Sequence, residues 1–206
     1  MTETVTEGKK RGSYAPLWIL MALSALPYIA GTLYYQYRDD IPHGESLNYG
    51  ALIEPARELK GVTLSMEDGT TREISEYQQK WLMLYILDGE CTEDCLKNLY
   101  YMRQVRKAMA NDRFRINRIM IVENQDFNSG LYKKIKENYP AMDIAGVKGS
   151  SKESLYSTIG QDSGNIYRKI MLIDPFGNYM MEYTQQPDPE KILKDIQRLL
   201  SVSRIG

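Results

Sequence analysis

A chain of 206 residues with 26 basic and 27 acidic side chains, for a formal net charge of -1, gives no electrostatic case for nucleic-acid binding. Its two cysteines exclude both the disulfide framework of a small secreted scaffold and a four-cysteine zinc site, and its single histidine, His43, leaves little for histidine-based catalysis or metal binding. Chemistry therefore rests largely on Cys91 and Cys95, in a chain whose length fits one domain with an appendage.

Residues 1–13 are polar, carry Lys9-Lys10-Arg11 and read as a cytoplasmic tail. Residues 14–37 hold no charged side chain, enough for a transmembrane helix across a hydrocarbon core of about 30 Å. Tyr14 and Trp18 at one end, and Tyr34, Tyr35 and Tyr37 at the other, stand where headgroups favour aromatic rings, and such helices tolerate a proline like Pro27. Lys9, Lys10 and Arg11 precede the span and only Arg38 follows it closely, so the positive-inside rule keeps the N-terminus cytoplasmic. The rest then lies outside the bacterial inner membrane, in a periplasm that permits disulfides. A cleaved signal peptide shares the basic start and the small residues near Ala30-Gly31. This run is longer than a signal core and stays uncharged past Gly31, which favours an uncleaved anchor.

Residues 38–58, with Pro42, Gly44, Asn48, Gly50 and Pro55, read as an extended, irregular connector to a domain spanning 59–206. Within that domain, 61–66 predicts a strand, Asp68-Gly69-Thr70 a tight turn and 71–74 a return strand. Trp81-Leu-Met-Leu-Tyr-Ile-Leu is an apolar run without polar alternation, the mark of a strand covered on both faces. It stops at Asp88-Gly89, and the loop that follows carries Cys91 and Cys95. Leu96, Leu99, Met102, Val105 and Met109 then recur at helical spacing.

A second strand is predicted over 118–123, then a loop in which Asp126 or Ser129 caps a helix that Pro140 stops. A short strand at 142–145 and a helix at 151–159, opened by a serine cap, follow. Strands at 167–173 and 179–183 flank the turn Asp174-Pro-Phe-Gly-Asn178, where the first aspartate bonds its own backbone. The last helix opens at Pro187 and carries Ile192, Leu193, Ile196, Leu199 and Leu200 on one face. Parallel strands joined by helices, then an antiparallel pair and a terminal helix, predict an α/β thioredoxin-like sandwich behind a single N-terminal transmembrane helix.

The pieces Gly61-Val-Thr-Leu, Asp68-Gly69-Thr70, Lys80-Trp81-Leu-Met-Leu-Tyr, Cys91-x-x-x-Cys95 and Tyr167-x-x-x-x-Leu-Ile-Asp-Pro-x-Gly-Asn178 resemble, in order and spacing, the membrane-anchored Sco (SenC/PrrC) proteins. The turn Asp174 to Asn178, the pair Met180-Met181 and the helix Lys194 to Leu200 look more closely like the Sco-like proteins of bacterial cytochrome c oxidase gene clusters. The resemblance runs from about Arg38 to the C-terminus and includes the anchor. It implies maturation of the dinuclear copper centre of oxidase subunit II, by delivering Cu(I) or by reducing the receiving cysteines, with that subunit or another assembly factor as partner. It also implies a copper site made of Cys91, Cys95 and a histidine just before the hairpin strand. Gln161 to Lys169 contains no histidine, and His43 lies in the connector beside the anchor.

Two thiolates at i and i+4 can meet on one helical face, and soft thiolates suit Cu(I). A third ligand would then come from a methionine or from a partner protein. Met180 and Met181 offer thioethers, of which strand alternation turns at most one to a given face, and core packing is the simpler role for either. The redox reading needs a nucleophilic thiolate, which a helix N-terminus favours and which Asp88, Glu90, Glu93 and Asp94 oppose. Thiols less acidic than those of thioredoxin-type sites, hence a partner-specific oxidoreductase at most, are the expectation. The alternative is a plain disulfide in a non-enzymatic interaction module, although so short a loop adds little chain-entropy stabilisation. Arg103, Arg106, Lys107, Arg113, Arg115 and Arg118 read as a solvated helix face and loop.

Overall fold

The computed structural model describes residues 14–37, 47–123, 130–160, 165–184 and 186–205. The chain divides into two units, Met1–Ser46 and Leu47–Gly206.

In the first unit, helix α1 (Ala15–Tyr37) spans 23 residues with no buried side chain. At 1.5 Å per residue it is about 35 Å long, enough to cross a bilayer. Its hydroxyls turn back on the helix: Ser24 Oγ donates to the Met21 carbonyl at 2.9 Å and Thr32 Oγ1 to the Ile29 carbonyl at 2.9 Å. Such local bonds keep polar groups satisfied where water is absent.

The second unit is built on one eight-stranded mixed sheet. Its strands are β1 (Ala51–Glu58), β2 (Thr63–Met66), β3 (Thr71–Glu73), β4 (Trp81–Leu87), β5 (Ile116–Val122), β6 (Asp143–Gly146), β7 (Ile170–Ile173) and β8 (Asn178–Tyr183), in the order β1-β8-β7-β4-β5-β6-β2-β3. β4 is central and wholly buried, parallel to β5 and antiparallel to β7. Helices α2 (Glu93–Ala108), α3 (Gly130–Asn138) and α5 (Pro189–Val202) pack on one face against Met83, Tyr85 and Leu87, while α4 (Gly149–Gly160) packs on the other against Leu82, Leu84 and Ile86. The continuous apolar run of β4 follows from this double cover, because side chains alternate between two cores. Each fully buried aliphatic side chain contributes about 1.5 to 3 kcal/mol.

The predicted sandwich is thus the observed one, with local corrections. Residues 51–58 of the expected irregular connector form edge strand β1, antiparallel to β8. Pro55 sits where the register shifts between Leu52 and Arg57, a place that needs no ladder donor. β7 begins only at Ile170, and α4 begins at Gly149, ahead of the serines expected to cap it. The cap assigned to Asp126 or Ser129 lies outside the described residues, as does His43.

Segment 47–50 is fastened by a buried carboxylate. Asp195 of α5, 2 % exposed, accepts the backbone N–H groups of Tyr49 (3.0 Å) and Gly50 (2.9 Å) and the Tyr183 hydroxyl at 3.2 Å. Burial, and then the Asp195 charge, push the Tyr183 phenol far above its ordinary pKa.

Candidate functional site

The chain leaves β4 through Asp88 and Gly89, and Gly89 has φ +67, a left-handed turn that a side chain would strain. Cys91 follows, then Thr92 as N-cap of α2, so only Cys95 lies on the helix, in its first turn. The expected pairing on one helical face is therefore replaced by a loop-to-helix pairing. The two cysteines are joined as a disulfide with a Cα–Cα distance of 5.2 Å. Cys95 is fully buried in the core between the sheet and α2; Cys91 is half-buried and packs against that core. Cys91 thus keeps part of its surface open to solvent and Cys95 keeps none.

Around the pair, Glu90, Glu93 and Asp94 are exposed, as their positions at a helix N-terminus suggest. Asp94 accepts a hydrogen bond from Gln186 Nε2 at 3.3 Å. Asp88 is paired with Arg168, whose Nε lies 3.3 Å from Oδ1. Lys97 Nζ lies 6.0 Å from the centre of the Tyr101 ring.

Sequence reasoning missed a latch beside the disulfide. Arg168 holds a left-handed backbone, φ 60, which costs about 1 to 3 kcal/mol in a non-glycine residue unless its surroundings impose it. Its N–H donates to the Ile86 carbonyl at 3.1 Å, and its own carbonyl accepts from Asn98 Nδ2 at 3.3 Å. Asn98 is 1 % exposed and sits one turn after Cys95, so the segment before β7 is tied to both the end of β4 and the dithiol helix. Burial pushes the Tyr85 phenol up, against the pull of the Asn98 amide and the Arg168 charge. The available signals were a lone polar residue on the apolar face of α2, and an arginine in the stretch searched for a histidine.

Among the described residues, no group of three or more His, Cys, Asp or Glu side chains is arranged to hold a metal ion. Met181 is spent on packing: a β-carbon on Gly50 would come within 2.6 Å of its Cγ and Sδ. Met180 is half-buried against the same core. Residues 161–164 lie outside the described residues, and 165–169 bring no histidine.

The basic set divides. Arg113 is exposed and stacks on Phe114 at 4.6 Å, while Arg115 donates to the Leu200, Ser203 and Ile205 carbonyls and fastens the C-terminal segment. Arg118 corrects the solvated reading outright, because its position on β5 turns it into the core and leaves it 4 % exposed.

Residues 81–203 match the family model described as a transmembrane-like, thioredoxin-like, C-terminal domain. No curated protein matches the chain. Among solved structures, the chain is similar to the apo Sco1 protein of Thermus thermophilus (15 % identity, 76 % of this chain and 99 % of that one, TM-score 0.59). It is similar to Bradyrhizobium japonicum ScoI, solved with copper bound (15 % identity, 72 % and 98 %, TM-score 0.52). It is also similar to BsSco, described as a member of the Sco family of cytochrome c oxidase assembly proteins with a disulfide switch (13 % identity, 72 % and 96 %, TM-score 0.55). The likeness is one of fold, and the family match covers more than half of the sequence. The chain belongs to the family of the transmembrane-like, thioredoxin-like C-terminal domain.

Proposed function

We propose that this protein is a membrane-anchored, Sco-like accessory factor for cytochrome c oxidase assembly that acts in copper-centre maturation through Cys91 and Cys95. The observation that carries the reading is a cysteine pair at the strand-to-helix junction of a Sco-like fold. A copper-bound neighbour and a neighbour described as an oxidase assembly protein support it. On this reading residues 1–13 are a cytoplasmic tail, 14–37 anchor the chain in the bacterial inner membrane, and 38–46 lead to a periplasmic domain over 47–206. The partner is subunit II of the oxidase or another assembly factor.

The chemistry follows from the unequal exposure of the two cysteines. A dithiol reductant, itself oxidised to a disulfide, supplies the two electrons and two protons that convert the disulfide to a dithiol. In the reducing role, the Cys91 thiolate attacks a partner disulfide and forms a mixed disulfide, releasing one partner thiolate. Cys95 Sγ then attacks Cys91 Sγ, which restores the internal disulfide and leaves the partner as a dithiol. The exposed acids disfavour the thiolate, which fits a narrow, docked partner rather than broad turnover. In the delivery role Cu(I) is cargo, held by the two thiolates and completed by a ligand from the partner, because no group of three or more His, Cys, Asp or Glu side chains among the described residues is arranged to hold a metal.

A second reading, a non-enzymatic interaction module with a structural disulfide, is favoured by the complete burial of Cys95. A full-length Cys91→Ser, Cys95→Ser chain separates the two in a deletion strain. The dithiol reading expects loss of oxidase activity; rescue equal to wild type leaves the interaction module. Anaerobic Cu(I) titration against a competing chelator then tests delivery. Binding that removal of either thiol weakens supports it, and binding indifferent to both thiols rejects it.

A further inference from the structure

Toward the end of α2 remote from the disulfide, the core contains a charge that the dithiol chemistry does not use. Arg118 is 4 % exposed, and neither its Nε nor its Nη1 has an acceptor among the described residues. A buried guanidinium without a counter-charge costs several kcal/mol, and sequences retain such a group where something pairs with it. Its charged neighbours are also cations. Arg106, on α2, donates its Nε to the Ile116 carbonyl at 2.8 Å, two residues before Arg118 on the same strand. Arg103 lies one turn earlier on the same helix face, with its guanidinium 5.8 Å from the centre of the Tyr139 ring.

Burial, and then the charges of Arg106 and Arg103, hold Arg118 down at about 10. Tyr139 is the one group of opposite influence, and burial pushes its phenol up, so it stays neutral at ordinary pH. Among the described residues, then, the charges that act on Arg118 are those of two other arginines, with no carboxylate to balance them. A single carboxylate offsets one of these charges. A phosphate group, with a charge of about -1.5 to -2 and several acceptor oxygens, offsets more and matches guanidinium donors in geometry.

We propose that Arg118, Arg103 and Arg106 form a binding site for one phosphate-type oxyanion, either free phosphate or the terminal phosphate of a lipid headgroup. Arg118 supplies the desolvated donors, and Arg103 and Arg106, both half-buried on α2, supply the more accessible ones. The site stands on its own observations and does not depend on the assembly role. It lies in the second half of α2, whereas Cys95 lies in the first turn.

The test is equilibrium dialysis of the full-length chain in detergent micelles against radiolabelled inorganic phosphate, with ionic strength held constant by chloride. Saturable binding is expected. Arg103→Gln should weaken it about tenfold or more, the loss of one charge-assisted contact, and Arg118→Met should abolish it. Lys107→Gln, an exposed lysine on the same helix, should leave it unchanged. Nanodiscs of phosphatidylcholine with and without phosphatidic acid separate the two sources. Displacement of labelled phosphate by phosphatidic acid assigns the headgroup, and retention assigns free phosphate. Absence of saturable binding in every arm overturns the site. So does a loss in Lys107→Gln as large as that in Arg103→Gln, which would reduce the effect to diffuse surface charge. Should Arg118→Met fail to fold, the Arg103→Gln and Lys107→Gln pair still decides.

Discussion

Asp195 and Arg118 are both charged and both withdrawn from water, yet their surroundings are opposite. Asp195 sits where α5 meets β8 and segment 47–50, and its oxygens accept two backbone N–H groups and a tyrosine hydroxyl. Arg118 sits under α2 with two nitrogens that find no acceptor among the described residues and two more arginines beside it. The first charge is an internal fastening, its desolvation offset by bonds the fold itself provides. The second has no compensating acceptor for two of its nitrogens among the described residues, the basis of the proposed oxyanion site.

The largest way to break this contrast is Asp195→Ala. It should destabilise the domain by about 3 kcal/mol, because the Tyr49 and Gly50 N–H groups and the buried Tyr183 hydroxyl lose their acceptor, and it should free segment 47–50 in amide exchange. A loss no larger than that of an exposed residue would remove the fastening role. Arg118→Met should move the other way, leaving stability in chloride unchanged or raising it by about 1 kcal/mol, as replacement of buried charges by apolar groups often does. Thermal melting followed by circular dichroism compares the two; a drop as large as that of Asp195→Ala would mean that the two charges are equivalent.

An intermediate case lies at the end of β5, where Glu123 is half-buried. It accepts from the Tyr156 and Tyr167 hydroxyls at 3.0 and 2.9 Å and pairs with Lys152 at 2.9 Å. Burial raises its pKa, but the bonds from Lys152, Tyr167 and Tyr156 outweigh it and set the carboxyl below its ordinary value. A lowered folded-state pKa adds stability above the ordinary glutamate value and loses it as the pH falls through the folded one. Glu123→Gln should therefore cost about 1 kcal/mol at neutral pH, and its melting curve should converge on that of wild type below about pH 4. A gap that persists in acid would assign the effect to packing. Smallest is Asp88→Asn. It breaks the pair with Arg168, whose side chains are 40 % and 38 % exposed, and should cost under about 0.5 kcal/mol, with Arg168 still held through its backbone by Ile86 and Asn98.

Much of this molecule was legible in one dimension. The uncharged stretch 14–37 states a bilayer-length helix, since length and polarity are properties of the chain. β4 and the second half of β5 are legible because a strand buried on both faces reads as an apolar run, and the turn at Asp174 because its aspartate accepts from the Phe176 and Asn178 N–H groups, at 2.9 and 2.8 Å. β1 was not legible. As an edge strand it buries little beyond Ile53 and carries Pro55 through its irregular middle, so its pattern is that of a loop.

The same limit governs the candidate sites. Sequence alone placed Cys91 and Cys95 at the junction of a strand and a helix, because an apolar run, a turn and a helical period are local signals; that Cys95 already lies on the helix came from the structure. Sequence also determined that no histidine lies within residues 161–169 to complete a copper set. Only the tertiary structure decided which cysteine is buried, since that depends on the sheet and α2 closing over Cys95. It alone brought Arg168 and Asn98 together across 70 residues. It alone turned Arg118 from one of six surface-like basic residues into a buried cation. Charge is written in the chain, but desolvation arises only when distant elements pack around it.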